Sequence, residues 1–333
     1  MNQGLLPPVE RPRGTRRTGA VFCVLMALVA AVPVITVASV SAQTSPGWQT
    51  LAPLLAPGES SQATAGVGGD RRIYYIRGGT GNEVYDIDRN EWTVLKDATA
   101  PRSAVATVTD LDGRIYLIGG NLGHPTTGSY VPSPLVEAYE PSTGTWARVA
   151  ELNEPRTNPS AVTDHDGRIY VIGGNSGSPA VGITAEVYDP QAPDEGWQKV
   201  PSMTLPGGNT GVPPNSSFLG NLAVPPATEA TTGSDGRIYL IVGSGDFFGV
   251  FDPDEPDEGW QSLSPVPTKR GVTFDVAAGP DGLIYVIGGT ASRYLDTVEA
   301  YDPVEESWIE KPPMPTPRGY VAAATGVDGR ITR

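Results

Sequence analysis

Short segments with the apolar and polar pattern of β-strands recur along the chain, separated by Gly, Pro and Asp. One of them is a run of β-branched and aromatic residues, found as IYYI at 73–76, IYLI at 115–118, IYVI at 169–172, IYLI at 238–241 and IYVI at 284–287. Such runs are typical of strands, and the Asp-Gly pairs before four of them suit tight hairpin turns. No sustained 3.6-residue apolar period occurs after residue 43, so the pattern predicts almost no helix.

Each run belongs to a larger unit, which the second copy illustrates. SAVATV at 103–108, IYLI at 115–118, VEAYEP at 136–141 and TWARV at 145–149 predict four antiparallel strands, here called a to d. Six tryptophans mark the start of strand d in successive units: Trp48, Trp92, Trp146, Trp197, Trp260 and Trp308. Four-stranded units that recur about every 50 residues indicate a β-propeller.

The units resemble the kelch repeat, most closely in VEAYDPVEESWIEKPPMPTPR at 298–318. The resemblance covers roughly 45–333 and implies an all-β, six-bladed propeller with four-stranded antiparallel blades. Both chain ends close the sixth blade: 48–51 reads as its strand d, and 319–333 as its strand a and part of strand b. No third strand is evident for this blade, so it is either incomplete or the chain is truncated.

Residues 1–42 are predicted to be separate from the propeller at 43–333. Four arginines precede an uncharged span from Gly19 to Val40, and small residues precede Gln43, as in a secretory signal peptide. An uncleaved membrane anchor is the alternative, because the span is long enough to cross a bilayer. Either interpretation predicts a secreted or cell-surface protein.

The charge balance restricts the partners of the protein. The formal net charge is −14 with 41 Gly and 33 Pro, and four of the 23 basic residues lie in the predicted leader. A chain this acidic is expected to repel nucleic acid and anionic lipid surfaces. We therefore predict a protein or glycan ligand, with membrane contact only through an uncleaved anchor.

Loop lengths point to one face of the ring as the functional face. The long insertions at 121–135, 175–184 and 206–230 fall in loops between strands b and c, or between blades. An arginine precedes the inner strand at four of the junctions between blades: Arg102, Arg156, Arg270 and Arg318. These arginines predict an anion pocket at the channel mouth, for example for a carboxylate-bearing sugar. The alternative is that they brace neighbouring blades.

Other candidate ligand-binding residues are exceptions to the repeat or aromatic residues in loops. Arg77 stands where most units have Gly, and either reaches into the site or lies in a solvated bulge. Phe247 and Phe248, in the short b–c loop of blade 4, offer a stacking surface unless they only pack that loop. Tyr130 in the long loop of blade 2 is a similar candidate with a similar alternative.

Several kinds of chemistry are not expected. Galactose oxidase, a secreted kelch propeller, needs a copper ion, a cysteine cross-linked to a tyrosine, and two histidine ligands. Here the only cysteine, Cys23, lies in the predicted leader, and His124 and His165 fall in loops of opposite faces. The Asp-x-Asp-Gly stretches at 110–113 and 164–167 lack the remaining ligands of a calcium loop. We predict no cofactor, no metal and no assigned catalytic residue.

The leading hypothesis is a secreted binding propeller that presents a loop-rich face to a protein or a glycan. The alternative is a sugar-active enzyme, because some exported bacterial kelch rings that resemble this chain are sialic acid epimerases. Glu229 and Asp246 are available for general acid–base work, although nothing in their spacing pairs them. A purely structural role is a third hypothesis, which the variable loops argue against.

Overall fold

The computed structural model describes the residues of the propeller in segments. These are 51–55, 64–67, 70, 72–78, 81–122, 131–176, 183–203, 228–271, 273–319, 321, 323–325 and 331–332. The chain divides into two units, Met1–Ser41 and Ala42–Arg333, and every described residue belongs to the second. Within this described part, no helix has the length and apolar character needed to cross a membrane.

Five four-stranded antiparallel sheets follow one another along the chain. Blade 1 contains β1 (Thr64–Val67), β2 (Arg72–Ile76), β3 (Glu83–Asp86) and β4 (Glu91–Val94). Blade 2 contains β5 (Ala106–Thr109), β6 (Ile115–Ile118), β7 (Val136–Glu140) and β8 (Thr145–Arg148). Blade 3 contains β9 (Ser160–Thr163), β10 (Ile169–Ile172), β11 (Ile183–Tyr188) and β12 (Gln198–Met203).

Blades 4 and 5 repeat this order. Blade 4 contains β13 (Thr228–Thr232), β14 (Ile238–Val242), β15 (Phe247–Phe251) and β16 (Gln261–Leu263). Blade 5 contains β17 (Phe274–Ala278), β18 (Ile284–Gly288), β19 (Val298–Asp302) and β20 (Ser307–Lys311). A hairpin of β21 (Ala324–Thr325) and β22 (Ile331–Thr332) follows. The only helical turns of the described residues are two short 3₁₀ segments, Pro193–Glu195 and Pro256–Glu258.

The core lies between neighbouring blades, because each second strand is covered on both faces. All four residues of β6 are buried, whereas β8 at the outer edge is largely exposed. One cluster joins Tyr116 and Val136 of blade 2 to Val171 and Trp197 of blade 3. A single blade has no partner for these faces, so the stacking of blades is what buries the apolar runs.

The inner strands follow one another around the axis of the ring. β1 contacts β5, β5 contacts β9, and the series continues through β13, β17 and β21 back to β1. Threonine hydroxyls connect these strands: Thr163 donates to the Thr109 carbonyl at 2.7 Å, and Thr232 to the Thr163 carbonyl at 2.8 Å. Five complete blades in a ring are thus confirmed, and the count of six stays a prediction.

The loops sort onto two faces as the sequence predicted. On one face, the loop between β6 and β7 is bridged to the junction between blades 2 and 3, where Ser133 pairs with Arg156. We call this the loop face. On the other, the turn between β5 and β6 contacts the turn between β11 and β12, where Gln191 donates to Asp112. We call this the turn face.

Candidate functional site

The first group of candidate residues, the junction arginines, is tied into the frame of the ring. The side chain of Arg102 is buried and forms an ion pair with Glu137 of β7. Its Nε donates to the Gly119 carbonyl at 2.6 Å and its Nη2 to the Leu117 carbonyl at 2.9 Å. The other oxygen of Glu137 accepts the Thr99 backbone N–H at 2.9 Å. The pair therefore fastens the incoming junction to strands b and c of blade 2.

The same arrangement recurs in blades 3 and 5. Arg156 lies 3.3 Å from Glu186 and donates to the Gly173 carbonyl at 2.8 Å. Arg270 pairs with Glu299 and donates to the Gly288 carbonyl at 2.8 Å. These guanidiniums are buried and, apart from Nε of Arg270, hydrogen-bonded to carboxylates and backbone carbonyls. The geometry therefore does not fit the anion pocket predicted for Arg102, Arg156 and Arg270 and favours the bracing alternative.

Burial and hydrogen bonding compete in setting the charge of Glu137. Burial alone would raise its pKa, but hydrogen bonds from Thr99 and Arg102 outweigh this and hold the pKa below its usual range. The carboxylate is therefore charged at neutral pH, as an ion pair with a buried guanidinium requires.

Arg77 performs a related task in blade 1. Its Nη2 lies 3.0 Å from Oε1 of Glu83, the residue equivalent to Glu137, and its guanidinium carbon lies 5.3 Å from the centre of the Tyr75 ring. Gly78, not Arg77, is the structural equivalent of Gly119. A Cβ on Gly78 would contact the Arg102 carbonyl, just as a Cβ on Gly119 would contact the Arg156 carbonyl. Arg77 is thus an added residue at the end of strand b, and its side chain is largely buried against Glu83 and Tyr75.

Blade 4 lacks both members of this pair. Gly249 stands at the glutamate position, and a Cβ there would lie 2.6 Å from the Phe247 ring, so the ring covers the space. Phe248 is fully buried against Tyr301 and Trp308. The stacking surface predicted for Phe248 does not fit this position. Both phenylalanines belong to strand β15 rather than to a loop, and Phe247 is partly buried there.

Arg318 differs from the other junction arginines because its side chain is exposed. Its backbone nevertheless has the usual place: its N–H donates to Leu295 at 2.9 Å and its carbonyl accepts from Gly289 at 2.9 Å. Arg318 therefore remains available to a ligand on the loop face. Tyr130 and His124 lie outside the described residues.

A pair of carboxylates on the innermost strands is the feature that sequence reasoning missed. Glu229 of β13 and Asp275 of β17 occupy equivalent positions, opposite Ile241 and Ile287 of their neighbouring strands. The same position is Ala106 in blade 2 and Ser160 in blade 3. Aligning the inner strands by register would have revealed two acids where other blades have small residues.

Burial raises the pKa of both carboxyl groups, and the charge of Asp275 raises that of Glu229 further. Asp275 accepts backbone N–H groups from Ala323 and from Val276, the latter at 2.7 Å. Burial raises the pKa of Asp275 to about 7 despite these bonds. Burial, and then the charge of Asp275, raise the pKa of Glu229 well above its usual range. Both groups are partly exposed, so the pair combines access to solvent with a proton that is held near neutral pH.

Asp246, the other carboxylate considered with Glu229, has a different role. It forms an ion pair with Lys269, and both side chains are exposed. Asp275, not Asp246, is the electrostatic partner of Glu229.

The residues do not fit a copper centre of the galactose oxidase kind. Of the two histidines, only His165 lies among the described residues, and its Nε2 faces carboxylates of the turn face at 3.5 and 3.6 Å. A cross-linked Tyr–Cys pair requires a cysteine in the propeller, and the only cysteine is Cys23. The Asp-x-Asp-Gly stretches are turns: Asp110 accepts the Arg114 N–H at 2.9 Å, and Asp164 the Arg168 N–H at 2.9 Å.

Comparisons with known proteins agree with this architecture. A model of the kelch motif matches residues 102–153 and 276–315. Alpha-scruin of Limulus polyphemus is 24% identical over 67% of this chain and 24% of its own length. Kelch-like protein 23 of Homo sapiens is 25% identical over 68% of this chain and 35% of its own length. The chain therefore spans about a quarter to a third of these relatives.

Two further matches come from enzymes. N-acetylneuraminate epimerase 1 of Escherichia coli is 26% identical over 80% of this chain and 65% of its own length. A fungal alcohol oxidase of the AA5 family, solved in complex with copper, superimposes with a TM-score of 0.51, covering 81% of this chain and 57% of the oxidase at 18% identity. The likeness to the oxidase shows the fold alone. The repeated units, the ring of five four-stranded blades and the matching motif identify the chain as a kelch-repeat β-propeller.

Proposed function

We propose that this kelch propeller is exported and acts as a binding module whose loop face contacts a protein or a glycan. The predicted signal segment at 1–42 supports export, and we further propose that both chain ends complete a sixth blade. The observation that carries the proposal is a set of exposed apolar side chains in b–c loops: Leu122, Val131 and Tyr294 are each more than half exposed. Exposed apolar groups on a rigid frame favour a contact surface.

The frame beneath these side chains supports the same conclusion. Leu122 donates its backbone N–H to Val131 at 3.1 Å, so the two side chains are presented together from the base of one loop. Arg102 and Arg156 engage the neighbouring backbone and carboxylates. Their charges are thus neutralised inside the propeller, which leaves the apolar side chains of the loops to contact a partner.

Substitutions on the two faces test the proposal. We would compare Leu122→Ser/Val131→Ser/Tyr294→Ser with a control variant, Leu111→Ser/Val304→Ser, whose two positions are also exposed but lie on the turn face. Both variants and the parent protein are applied to a glycan array and are cross-linked to surface proteins on cells of the source organism. We expect at least tenfold weaker capture of the ligand by the loop-face variant only. Equal capture by both variants would contradict the proposal.

A second candidate is a sugar-active enzyme, which the Glu229–Asp275 pair favours. A carboxyl with a pKa of about 7 can donate or accept a proton at neutral pH. The similarity to N-acetylneuraminate epimerase 1 suggests the acidic sugar as a first substrate to try.

Proton NMR can follow the interconversion of N-acetylneuraminate anomers. If the pair is catalytic, the parent protein should accelerate this exchange, and Glu229→Gln and Asp275→Asn should each slow it at least tenfold. Exchange no faster than in buffer alone would exclude this substrate and leave the binding proposal standing.

A further inference from the structure

On the turn face, the contact between blades 3 and 4 differs from the equivalent contact between blades 2 and 3. Between blades 2 and 3, Asp112 of the turn after β5 accepts the side-chain amide of Gln191 at 3.2 Å. Asp112 is the second Asp of Asp-Leu-Asp-Gly, and Gln191 is the third residue of Asp-Pro-Gln after β11. A charged acceptor thus meets a neutral donor across the two blades.

The equivalent place between blades 3 and 4 has two carboxylates. Asp166 corresponds to Asp112, and Asp254 of Asp-Pro-Asp after β15 corresponds to Gln191. One carboxylate oxygen from each lies within 4.8 Å of the other. Two like charges this close repel each other, and among the described residues only Asp166 of the two carboxylates has an arginine partner, Arg168 at 3.2 Å. The residue between the two aspartates of the turn also changes, from Leu111 to His165.

His165 is placed to complete a set of ligands. Its Nε2 lies 3.5 Å from Oδ1 of Asp166 and 3.6 Å from Oδ1 of Asp254, so it forms no short hydrogen bond with either. Donor atoms around a tetrahedral Zn²⁺, with bonds of about 2.1 Å, are separated by roughly 3.4 Å. The two separations from Nε2 are close to this value, and the two carboxylate oxygens lie within 4.8 Å of each other.

Two neighbouring contacts hold the ligands in position. The imidazole rests on the turn of blade 4, where a Cβ on Gly236 would lie 3.0 Å from Nδ1, just as Leu111 rests on Gly167. Arg168 lies 3.2 Å from Oδ2 of Asp166, which leaves Oδ1 facing the imidazole. Fixed ligands lower the entropy lost when a metal binds.

We propose that His165, Asp166 and Asp254 bind a divalent transition-metal ion, such as Zn²⁺, that clasps blade 3 to blade 4. One imidazole nitrogen and two carboxylate oxygens suit Zn²⁺, with water in the fourth position, better than Ca²⁺ or Mg²⁺, which prefer oxygen alone. This revises the expectation that no metal is held: that expectation required two histidines on one face, whereas a single histidine suffices with two aspartates from adjacent blades.

The experiment is a titration of the untagged, chelator-treated full-length protein with Zn²⁺ by isothermal calorimetry. Two variants replace a residue of this site with its equivalent from the contact between blades 2 and 3: Asp254→Gln and His165→Leu. We expect one Zn²⁺ per chain for the parent protein, at least tenfold weaker binding in each variant, and an upward shift of the melting temperature only where Zn²⁺ binds. Asp112→Asn, at the neighbouring contact, serves as the matched control and should bind as the parent does.

The outcomes separate a metal site from an ion pair. Melting temperatures without metal should change little in any variant, since all of these side chains are exposed. Absence of Zn²⁺ binding by the parent protein at millimolar metal would overturn the proposal and leave only a contact between the His165 ring and two carboxylates. Undiminished binding by Asp254→Gln would also overturn it, because the metal would then be held elsewhere.

Discussion

Blade 2 and blade 4 share a strand order but place their charged side chains at different positions. Blade 2 buries Arg102 against Glu137 of β7 and has Ala106 on its inner strand. In blade 4, Gly249 replaces the glutamate, the Phe247 ring covers the space above it, and Glu229 lies at the position of Ala106. Paired charges in blade 2 hold the frame, whereas the carboxylate of blade 4 lies beside another carboxylate. The repeat therefore defines the scaffold, and its exceptions are where ligand chemistry is to be sought.

The largest effect is expected from breaking the pair in blade 2. Glu137→Ala leaves the buried Arg102 without its counter-charge, which we expect to lower the free energy of unfolding by about 3–5 kcal/mol. Urea unfolding monitored by tryptophan fluorescence measures this. The double variant Arg102→Met/Glu137→Leu should recover much of the loss. A loss below about 1 kcal/mol for Glu137→Ala would show that the pair is not a brace.

Blade 4 should resist the addition of a side chain at the same position. Gly249→Ala places a Cβ against the Phe247 ring, and we expect the free energy of unfolding to fall by about 1–3 kcal/mol through overpacking. The double variant Gly249→Ala/Phe247→Leu makes room and should be less destabilised than the sum of its parts. Additive losses in this cycle would mean that the ring does not fill the space of the missing glutamate.

The innermost carboxylates should make stability depend on pH. The folded state holds a proton on Asp275 up to about pH 7, while the unfolded chain releases it near pH 4. The folded state therefore binds more protons in this window, and the free energy of unfolding should fall by about 4 kcal/mol as the pH rises through it. Relative to the parent protein, Asp275→Asn should flatten this dependence. An unchanged slope in Asp275→Asn would refute the assignment.

The smallest effect concerns the tryptophans of the two blades. Trp146 donates its indole N–H to the Lys96 carbonyl at 2.9 Å, whereas no described residue accepts from Trp260. We expect Trp146→Phe to cost about 1 kcal/mol more than Trp260→Phe in thermal unfolding, the value of one hydrogen bond. Equal costs would indicate that ring packing alone decides the role of these residues.

The sequence predicted the blades because each strand repeats its own apolar pattern and ends at a Gly or Asp turn. It did not predict the partners of the arginines, although the glutamate is visible in blades 1, 2, 3 and 5 and is absent from blade 4 together with the arginine. Asp275 was missed because its proximity to Glu229 depends on the stacking of two blades. Contacts between units follow from register and ring closure, which a linear pattern does not display.

We expect the bonds from blades 1, 2, 3 and 5 back to the residues that precede each of them to set an order of assembly during synthesis. In blade 1, Trp92 donates to the Ala52 carbonyl and Glu83 accepts the Leu55 N–H. In blade 2, Trp146 donates to the Lys96 carbonyl and Glu137 accepts the Thr99 N–H. The indole partners are 40 and 50 residues apart along the chain. On a ribosome, the residues at the end of one blade therefore cannot form these hydrogen bonds until most of the next blade has emerged. We expect nascent chains to acquire protease resistance in steps of one blade, each step lagging one blade behind synthesis.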